Sequence, residues 1–88
     1  GANASVKNAV LADGCHIDGQ VENSIFFRGV SVGRGAIVRN SIIMQGVEIG
    51  EDCVLEHVIL DKGVKIRRER TLLGYDSFPI ILKKNTTV

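Results

Sequence analysis

One stretch of seventeen residues occurs three times in succession, with variations, in this 88-residue chain. Residues 23–39 read NSIFFRGVSVGRGAIVR, residues 40–56 read NSIIMQGVEIGEDCVLE, and residues 57–73 read HVILDKGVKIRRERTLL. The first two copies share six identical positions. A fixed period of this length indicates equal structural units that stack on one another, so the repeat constrains the fold more than any other feature.

A shorter rhythm of about six residues runs inside each repeat. An aliphatic residue is followed by glycine and, three positions later, by a small residue, as in Val32-Gly33 with Ala36 and Ile49-Gly50 with Cys53. Three such units per repeat predict a triangular coil with three short faces. Because β-branched residues dominate and glycine recurs where a helix would break, the pattern favours strands over helical heptads.

We therefore expect a single all-β domain over residues 1–88, a parallel β-solenoid of about four coils plus a C-terminal capping strand. The predicted coils are residues 8–22, 23–39, 40–56 and 57–73, with a tail at 74–88. Coil one fits the period if two residues are missing beside Gly19. In the tail, the segment 78–82 (FPIIL) predicts a last strand that covers the open end of the stack.

Stacking the coils predicts which aliphatic side chains face the interior. Four inward columns are expected: Val10, Ile25, Ile42 and Ile59; Ile17, Val32, Ile49 and Ile66; Val21, Val38, Leu55 and Leu72; Cys15, Val30, Val47 and Val64. A fifth column directly follows the first and is predicted to point outward: Leu11, Phe26, Ile43 and Leu60. Such an apolar stripe is either covered by the chain's own tail or a docking face for another domain or subunit.

Charge is nearly balanced overall but unevenly distributed along the chain. The formal net charge of +1 argues against nonspecific nucleic-acid binding. Residues 1–61 hold four basic and eight acidic side chains, whereas residues 62–88 hold seven basic and two acidic ones. The basic cluster Lys65, Arg67, Arg68 and Arg70 predicts either a solvated charged face or a site for a phosphate-bearing effector or an acidic partner surface.

The sequence predicts no catalytic, cofactor-binding or metal-binding residue. His57 takes the corner place that Asn8, Asn23 and Asn40 take in the other coils, so it is expected to be a turn residue rather than a general base. His16 is expected to face solvent. Cys15 and Cys53 lack metal-ligand spacing and are predicted to be core thiols of a cytosolic protein. The sequence shows no signal peptide or membrane span.

Two resemblances sharpen these expectations. The six-residue rhythm resembles the hexapeptide repeat of left-handed parallel β-helices, and that resemblance implies the single-stranded left-handed form. Several short motifs are more specific. The chain resembles the C-terminal β-helix domain of glucose-1-phosphate adenylyltransferases (ADP-glucose pyrophosphorylases) in VENS at 21–24, RGV at 28–30, NSIIMQ at 40–45 and VILDK at 58–62. The likeness runs from about residue 5 to residue 66 and is looser in the tail.

This family resemblance implies a function that these 88 residues do not perform alone. A separate N-terminal nucleotidyltransferase domain, absent from this sequence, would bind ATP and magnesium and make ADP-glucose from ATP and glucose 1-phosphate in glycogen biosynthesis. The β-helix is expected to support subunit assembly and allosteric control in the bacterial cytoplasm. Its implied partners are its own catalytic domain and other subunits of a homo- or hetero-oligomer. The looser tail indicates the regulatory-type subunit. The alternative is a fragment of a hexapeptide-repeat acyltransferase with His57 as general base.

Overall fold

The chain turns at three recurring corners, and residues with positive φ mark each of them. In the computed structural model, which describes residues 4–88, the first corner holds Asn8, Asn23, Asn40 and His57, at φ of 48° to 52°. At the second corner the positive-φ residue is a glycine in each of the four coils, as at Gly29 and Gly46. Because glycine and asparagine enter the left-handed region at the least steric cost, these residues set where each strand ends.

Short strands lie between the corners, and residues 4–88 contain no helix. The strands are β1 (Ser5–Lys7), β2 (Val10–Leu11), β3 (His16–Ile17), β4 (Gln20–Glu22), β5 (Ile25–Phe26), β6 (Ser31–Val32), β7 (Ile37–Arg39), β8 (Ile42–Ile43), β9 (Glu48–Ile49), β10 (Val54–Glu56), β11 (Val58–Leu60), β12 (Lys65–Ile66), β13 (Thr71–Leu73) and β14 (Ile80–Leu82).

The strands form three parallel sheets, one for each side of the coil. Sheet A has the order β1-β4-β7-β10-β13, sheet B the order β14-β11-β8-β5-β2, and sheet C the order β12-β9-β6-β3. Ile25 pairs with Ile42 and Ile42 with Ile59, so each residue lies over its repeat equivalent. The all-β fold class is confirmed, as a parallel β-solenoid of about four turns.

The first coil takes a shorter path than the others at its third corner. Strand β3 ends at Ile17 and β4 already begins at Gln20, whereas residues 33–36 separate the corresponding strands β6 and β7. A Cβ atom on Gly19 would lie 2.3 Å from the carbonyl oxygen of Ala36, so only glycine fits this shortcut. The missing residues therefore lie beside Gly19, as the period predicts.

The core is a stack of aliphatic side chains on the inner faces of the sheets. Away from sheet B, it comprises Val21, Val38 and Leu55 on sheet A, Val32, Ile49 and Ile66 on sheet C, Val30, Val47 and Val64 beside the second corner, and Ala36 and Cys53 beside the third. Cys15, Ile17 and Leu72 pack against this core at its ends and are partly buried. Three of the four predicted inward columns are thus confirmed.

On sheet B, the side chains that face the core are those predicted to face solvent, and the reverse. Phe26, Ile43 and Leu60 are 1% exposed or less, whereas Ile25 and Ile42 are 46% and 37% exposed. The prediction that Leu11, Phe26, Ile43 and Leu60 point outward is therefore wrong, and so is the inward prediction for Val10, Ile25, Ile42 and Ile59. Leu11 is exposed because it lies in the terminal coil of sheet B.

A ladder of buried serines explains this sidedness. The Ser24 hydroxyl donates to the carbonyl oxygen of Glu22 (2.9 Å) and accepts from the backbone N–H of Ser41 (3.1 Å). The Ser41 hydroxyl repeats the pattern, donating to Arg39 (2.7 Å) and accepting from the N–H of Val58 (3.2 Å). Since the serine after each corner points inward, the next residue points outward and the one after it inward.

The tail closes one end of the stack. Strand β14 pairs in parallel with β11, with Ile81 beside Ile59, and becomes the fifth strand of sheet B. Ile80, Leu82 and Val88 pack against the core. Leu60, in the coil beneath, is fully buried. The predicted last strand is confirmed at Ile80–Leu82.

The corrected sidedness predicts unequal effects for neighbouring isoleucines on β8. Ile43→Ala should lower the free energy of unfolding by about 2–5 kcal/mol, because it leaves a cavity in the core. Ile42→Ala should cost below about 1 kcal/mol, because its side chain is already partly in water. Urea unfolding of both variants measures the difference. If Ile43→Ala does not fold, Ile43→Val should still cost more than Ile42→Val. Equal costs would contradict this assignment, and a larger cost at position 42 would show that the core faces the other way.

The serine ladder predicts a cost for removing one hydroxyl. Ser41→Ala leaves the buried N–H of Val58 without its acceptor, so the free energy of unfolding should fall by about 1–3 kcal/mol. Ser31→Ala on the outer face of sheet C is the matched control and should stay within about 0.5 kcal/mol of the wild type. Similar values for both variants would contradict the role assigned to the ladder.

Candidate interaction surface

The three outer faces of the solenoid differ in chemistry. On sheet A, one outward column alternates in charge, with Lys7, Glu22, Arg39 and Glu56 in successive coils, and Arg39 forms an ion pair with Glu22 (3.6 Å). On sheet C, the outward column is polar and holds His16, Ser31, Glu48 and Lys65. Sheet B alone presents an aliphatic residue to solvent in every coil.

This apolar stripe on sheet B consists of Val10, Ile25, Ile42, Ile59 and Ile81, which are register partners of one another. Val10 and Ile81 at its two ends are 65% and 63% exposed. At strand spacing, its four steps span about 19 Å. Phe27, which is 46% exposed, widens it in the second coil. An apolar surface of this length and regularity is typical of a site where another protein surface binds.

The stripe that the sequence predicts exists, but it lies one residue earlier in each coil. Of the residues predicted to form it, Phe26, Ile43 and Leu60 lie behind it in the core, whereas Leu11, in the terminal coil, is exposed. Both columns are apolar, so alternation alone could not distinguish them. The recurrence of Asn-Ser at 23–24 and 40–41 is the signal that identifies the inward position.

Two shallow cavities lie along the corner between sheets A and B, beside the stripe. The one at the N-terminal end of the stack, the end cavity, measures about 470 Å³ and is lined by apolar Val6, Ala9, Val10 and Ile25, by the amides of Asn8 and Asn23 and by Ser24. The Asn8 amide donates to the side-chain oxygen of Asn23. Farther along the same corner, a cavity of about 280 Å³ lies against Asn40, His57 and Asp76.

An aromatic hairpin interrupts this corner in the last coil. Residues 74–79 separate β13 from β14, where His57 alone separates β10 from β11. Tyr75 and Phe78 each donate a backbone N–H to the other's carbonyl oxygen (3.1 and 2.9 Å), which closes a tight turn over Asp76 and Ser77. Their side chains are 73% and 78% exposed. The repeat pattern of the sequence does not predict this hairpin.

The four predicted basic residues are all exposed but do not converge on one site. Lys65 and Arg67 line a groove on sheet C that they share with the acidic side chains Glu48 and Asp18. Arg68 and Arg70 lie in the following turn, where an Arg70 guanidinium N–H donates to the Arg68 carbonyl oxygen (3.5 Å). Anion or effector binding by these residues stays a prediction.

The histidines and cysteines lie where their turn and packing roles require. His16 is exposed on sheet C, and His57 is a corner residue with a φ of 51°. The Cys53 thiol is buried and donates to the Arg67 carbonyl oxygen (3.0 Å), and the Cys15 thiol donates to that of Phe27 (3.2 Å). Among the described residues, no group of three or more His, Cys, Asp or Glu side chains is arranged to hold a metal ion. None of the structure in residues 4–88 is a helix that could span a membrane.

Comparisons with known proteins agree with the family resemblance of the sequence. The chain is 49% identical over 39 residues to a glucose-1-phosphate adenylyltransferase of Clostridium beijerinckii, a match that covers 44% of this chain and 10% of that protein. It is 50% identical over 38 residues to the glycogen biosynthesis protein GlgD of Geobacillus stearothermophilus, covering 43% and 11%. GlgD of Bacillus subtilis is 51% identical over 35 residues, covering 40% and 10%.

These matches confirm the resemblance that the sequence wording indicated, and each spans about a tenth of the relative's length. The model of a whole domain family extends farther. The family described as GlmU-like, C-terminal hexapeptide, matches residues 1–78, which is most of the chain and includes every predicted coil. The chain therefore belongs to the GlmU-like C-terminal hexapeptide family.

Proposed function

We propose that this β-solenoid is the assembly and regulatory domain of a protein of the glucose-1-phosphate adenylyltransferase type, acting in glycogen biosynthesis in the cytoplasm. Such a protein joins ATP and glucose 1-phosphate into ADP-glucose and pyrophosphate. The names of the matched relatives support this parentage. The nucleotidyl transfer itself, with its ATP and magnesium, is assigned to polypeptide outside these 88 residues.

The apolar stripe is the observation that carries the assembly role. This column runs through five successive strands of sheet B, with Val10, Ile25, Ile42 and Ile81 exposed and Ile59 partly buried. The solenoid does not need this column for its own stability, because a separate set of side chains already fills the core. Burying the stripe against another protein surface would remove it from water, and the hydrophobic effect would favour that association.

A regulatory role fits the rigidity of the module. Parallel pairing joins successive coils in three sheets, an arrangement that we expect to behave as a rigid unit. A rigid body that docks through one face can transmit a shift in its own position to whatever it contacts.

The reading frame that encodes these residues provides a direct test of the parentage. We expect the sequence upstream of residue 1 to encode a nucleotidyltransferase domain with a glycine-rich nucleotide-binding loop. The parent protein, alone or mixed with a catalytic subunit, should release pyrophosphate from ATP and glucose 1-phosphate. An upstream sequence of another enzyme class, such as an acyltransferase, would refute the proposed function.

A pair of substitutions in the parent protein tests the assembly role. Ile42→Ser with Ile59→Ser should lower the oligomer mass measured by light scattering, because the apolar face no longer gains from being buried. Ile37→Ser, which alters an outward aliphatic residue of sheet A, is the control and should leave the mass unchanged. If the stripe variant keeps the wild-type mass while remaining folded by circular dichroism, sheet B is not the docking face.

A further inference from the structure

A cavity on the corner between sheets A and B combines polar side chains with aliphatic ones. This corner cavity, of about 280 Å³, runs from the second coil to the fourth, so further strands of sheet B flank it on both sides. It is lined by polar Asn23, Asn40, Ser41, His57 and Asp76 and by apolar Ile25 and Ile42. Within residues 4–88, no hydrogen bond or ion pair engages the side chains of Asn40, His57 or Asp76, so their polar atoms are available to a ligand.

The aromatic hairpin (residues 74–79) lies beside this cavity. Asp76 in its turn lines the cavity, and Tyr75 and Phe78 flank that turn. Two backbone hydrogen bonds join Tyr75 and Phe78 as an antiparallel pair, so their side chains leave the same face of the hairpin. Both are more than 70% exposed and contribute little to the core. An insertion in one coil of a solenoid commonly lies on its binding face, and this one places two aromatic rings at the edge of a polar cavity.

The charges of the lining exclude phosphate-bearing ligands. Of the residues that line the cavity, Asp76 alone has a formal charge at pH 7, and its carboxylate repels anions. Arg39, which precedes Asn40, lies on sheet A and forms an ion pair with Glu22 there. The ligand of this cavity is therefore an uncharged molecule or a cation.

An uncharged chain of sugar units matches the rest of the lining. Sugar hydroxyl groups both donate and accept hydrogen bonds, and so do the amides of Asn23 and Asn40 and the neutral imidazole of His57. The apolar face of a sugar ring packs on aromatic rings such as those of Tyr75 and Phe78, which offer large flat apolar surfaces. A peptide has less to bind, because strands β5 and β8 beside the cavity are already paired on both sides and accept no further strand.

We propose that the corner cavity and the aromatic hairpin bind an α-glucan, a chain of α-linked glucose units. The sugar chain runs along the corner, with its hydroxyl groups bonded to the polar side chains of the cavity and its ring faces against Tyr75 and Phe78. That the ligand is an uncharged sugar chain rests on the lining, whereas its being an α-glucan rests on the proposed function, because glycogen is such a polymer. Bound in this way, the domain holds its parent protein on the polymer that the parent's product extends.

The chain's single tyrosine provides a direct measurement of this binding. The sequence has one tyrosine and no tryptophan, so the fluorescence of the 88-residue chain reports on Tyr75 alone. Titration with maltoheptaose, which has α-linked glucose units, should change this fluorescence until the site is saturated. The same titration followed by NMR should shift the side-chain amide signals of Asn23 and Asn40. Cellohexaose, which has β-linked glucose units, should bind less tightly.

Substitutions at the site and away from it show which side chains bind the sugar. Tyr75→Ala with Phe78→Ala should weaken maltoheptaose binding, measured by NMR, about tenfold or more, as expected when aromatic anchors are truncated. Asn40→Gly should weaken it about two- to tenfold, the effect of one lost hydrogen bond. Glycine accepts the positive φ of this corner, so the backbone should persist. Phe27→Ala, which removes an exposed ring beyond the other end of strand β5, is the control and should bind like the wild type.

Three results would overturn the proposal, each with the chains folded by circular dichroism. No change in fluorescence or in the NMR signals at millimolar maltoheptaose means that the site takes no glucan. Binding that Phe27→Ala weakens as much as the hairpin substitutions do is nonspecific contact with exposed rings. Cellohexaose that binds as tightly as maltoheptaose, or more tightly, means that the site does not select an α-glucan. Because pyrophosphate release tests the parentage separately, this inference can fail while the proposed function stands.

Discussion

The structure depends on the register between successive coils. Parallel pairing holds each residue beside its repeat equivalent, as at Ile25, Ile42 and Ile59, and the same offset aligns all three sheets. The corners keep this register, because a residue with positive φ, most often asparagine or glycine, turns the chain at the same place in successive coils. Once the register is fixed, core columns, the serine ladder and outer columns follow, because side chains alternate in direction along each strand.

The same alternation explains which part of the fold could be predicted from sequence. On sheet C, one column is aliphatic and the neighbouring one contains residues such as Glu48 and Lys65, so composition fixes which side faces inward. On sheet B, both alternating columns are aliphatic. A shift of one residue reverses every side chain of a strand, and hydrophobicity alone cannot detect the shift there. The deciding information lies in two small polar residues, Ser24 and Ser41, whose hydroxyls satisfy buried backbone groups.

The sequence predicts that an apolar column faces solvent, but it does not show which residues form that column. The sequence indicates an apolar outward column, and sheet B has one, but its members are the residues that seemed to belong to the core. The basic residues cluster in sequence, yet Arg67 and Arg70 separate because the chain turns between them. The aromatic hairpin was missed because the repeat ends before it and no other coil has an equivalent. Its signal is two turn-forming residues, Asp76 and Ser77, between two aromatic ones.

The shortcut at Gly19 shows how freely this architecture changes length. Coil one spans two residues fewer than its neighbours, yet its strands pair in register, because the loss falls wholly within a corner. Whole turns should be as dispensable as parts of turns, since a coil interacts directly only with the coils above and below it. Gene duplication can therefore lengthen or shorten the prism in units of one rung, about 4.8 Å, while the local surroundings of every retained side chain persist. The length of such a solenoid can therefore change during evolution while its cross-section stays the same.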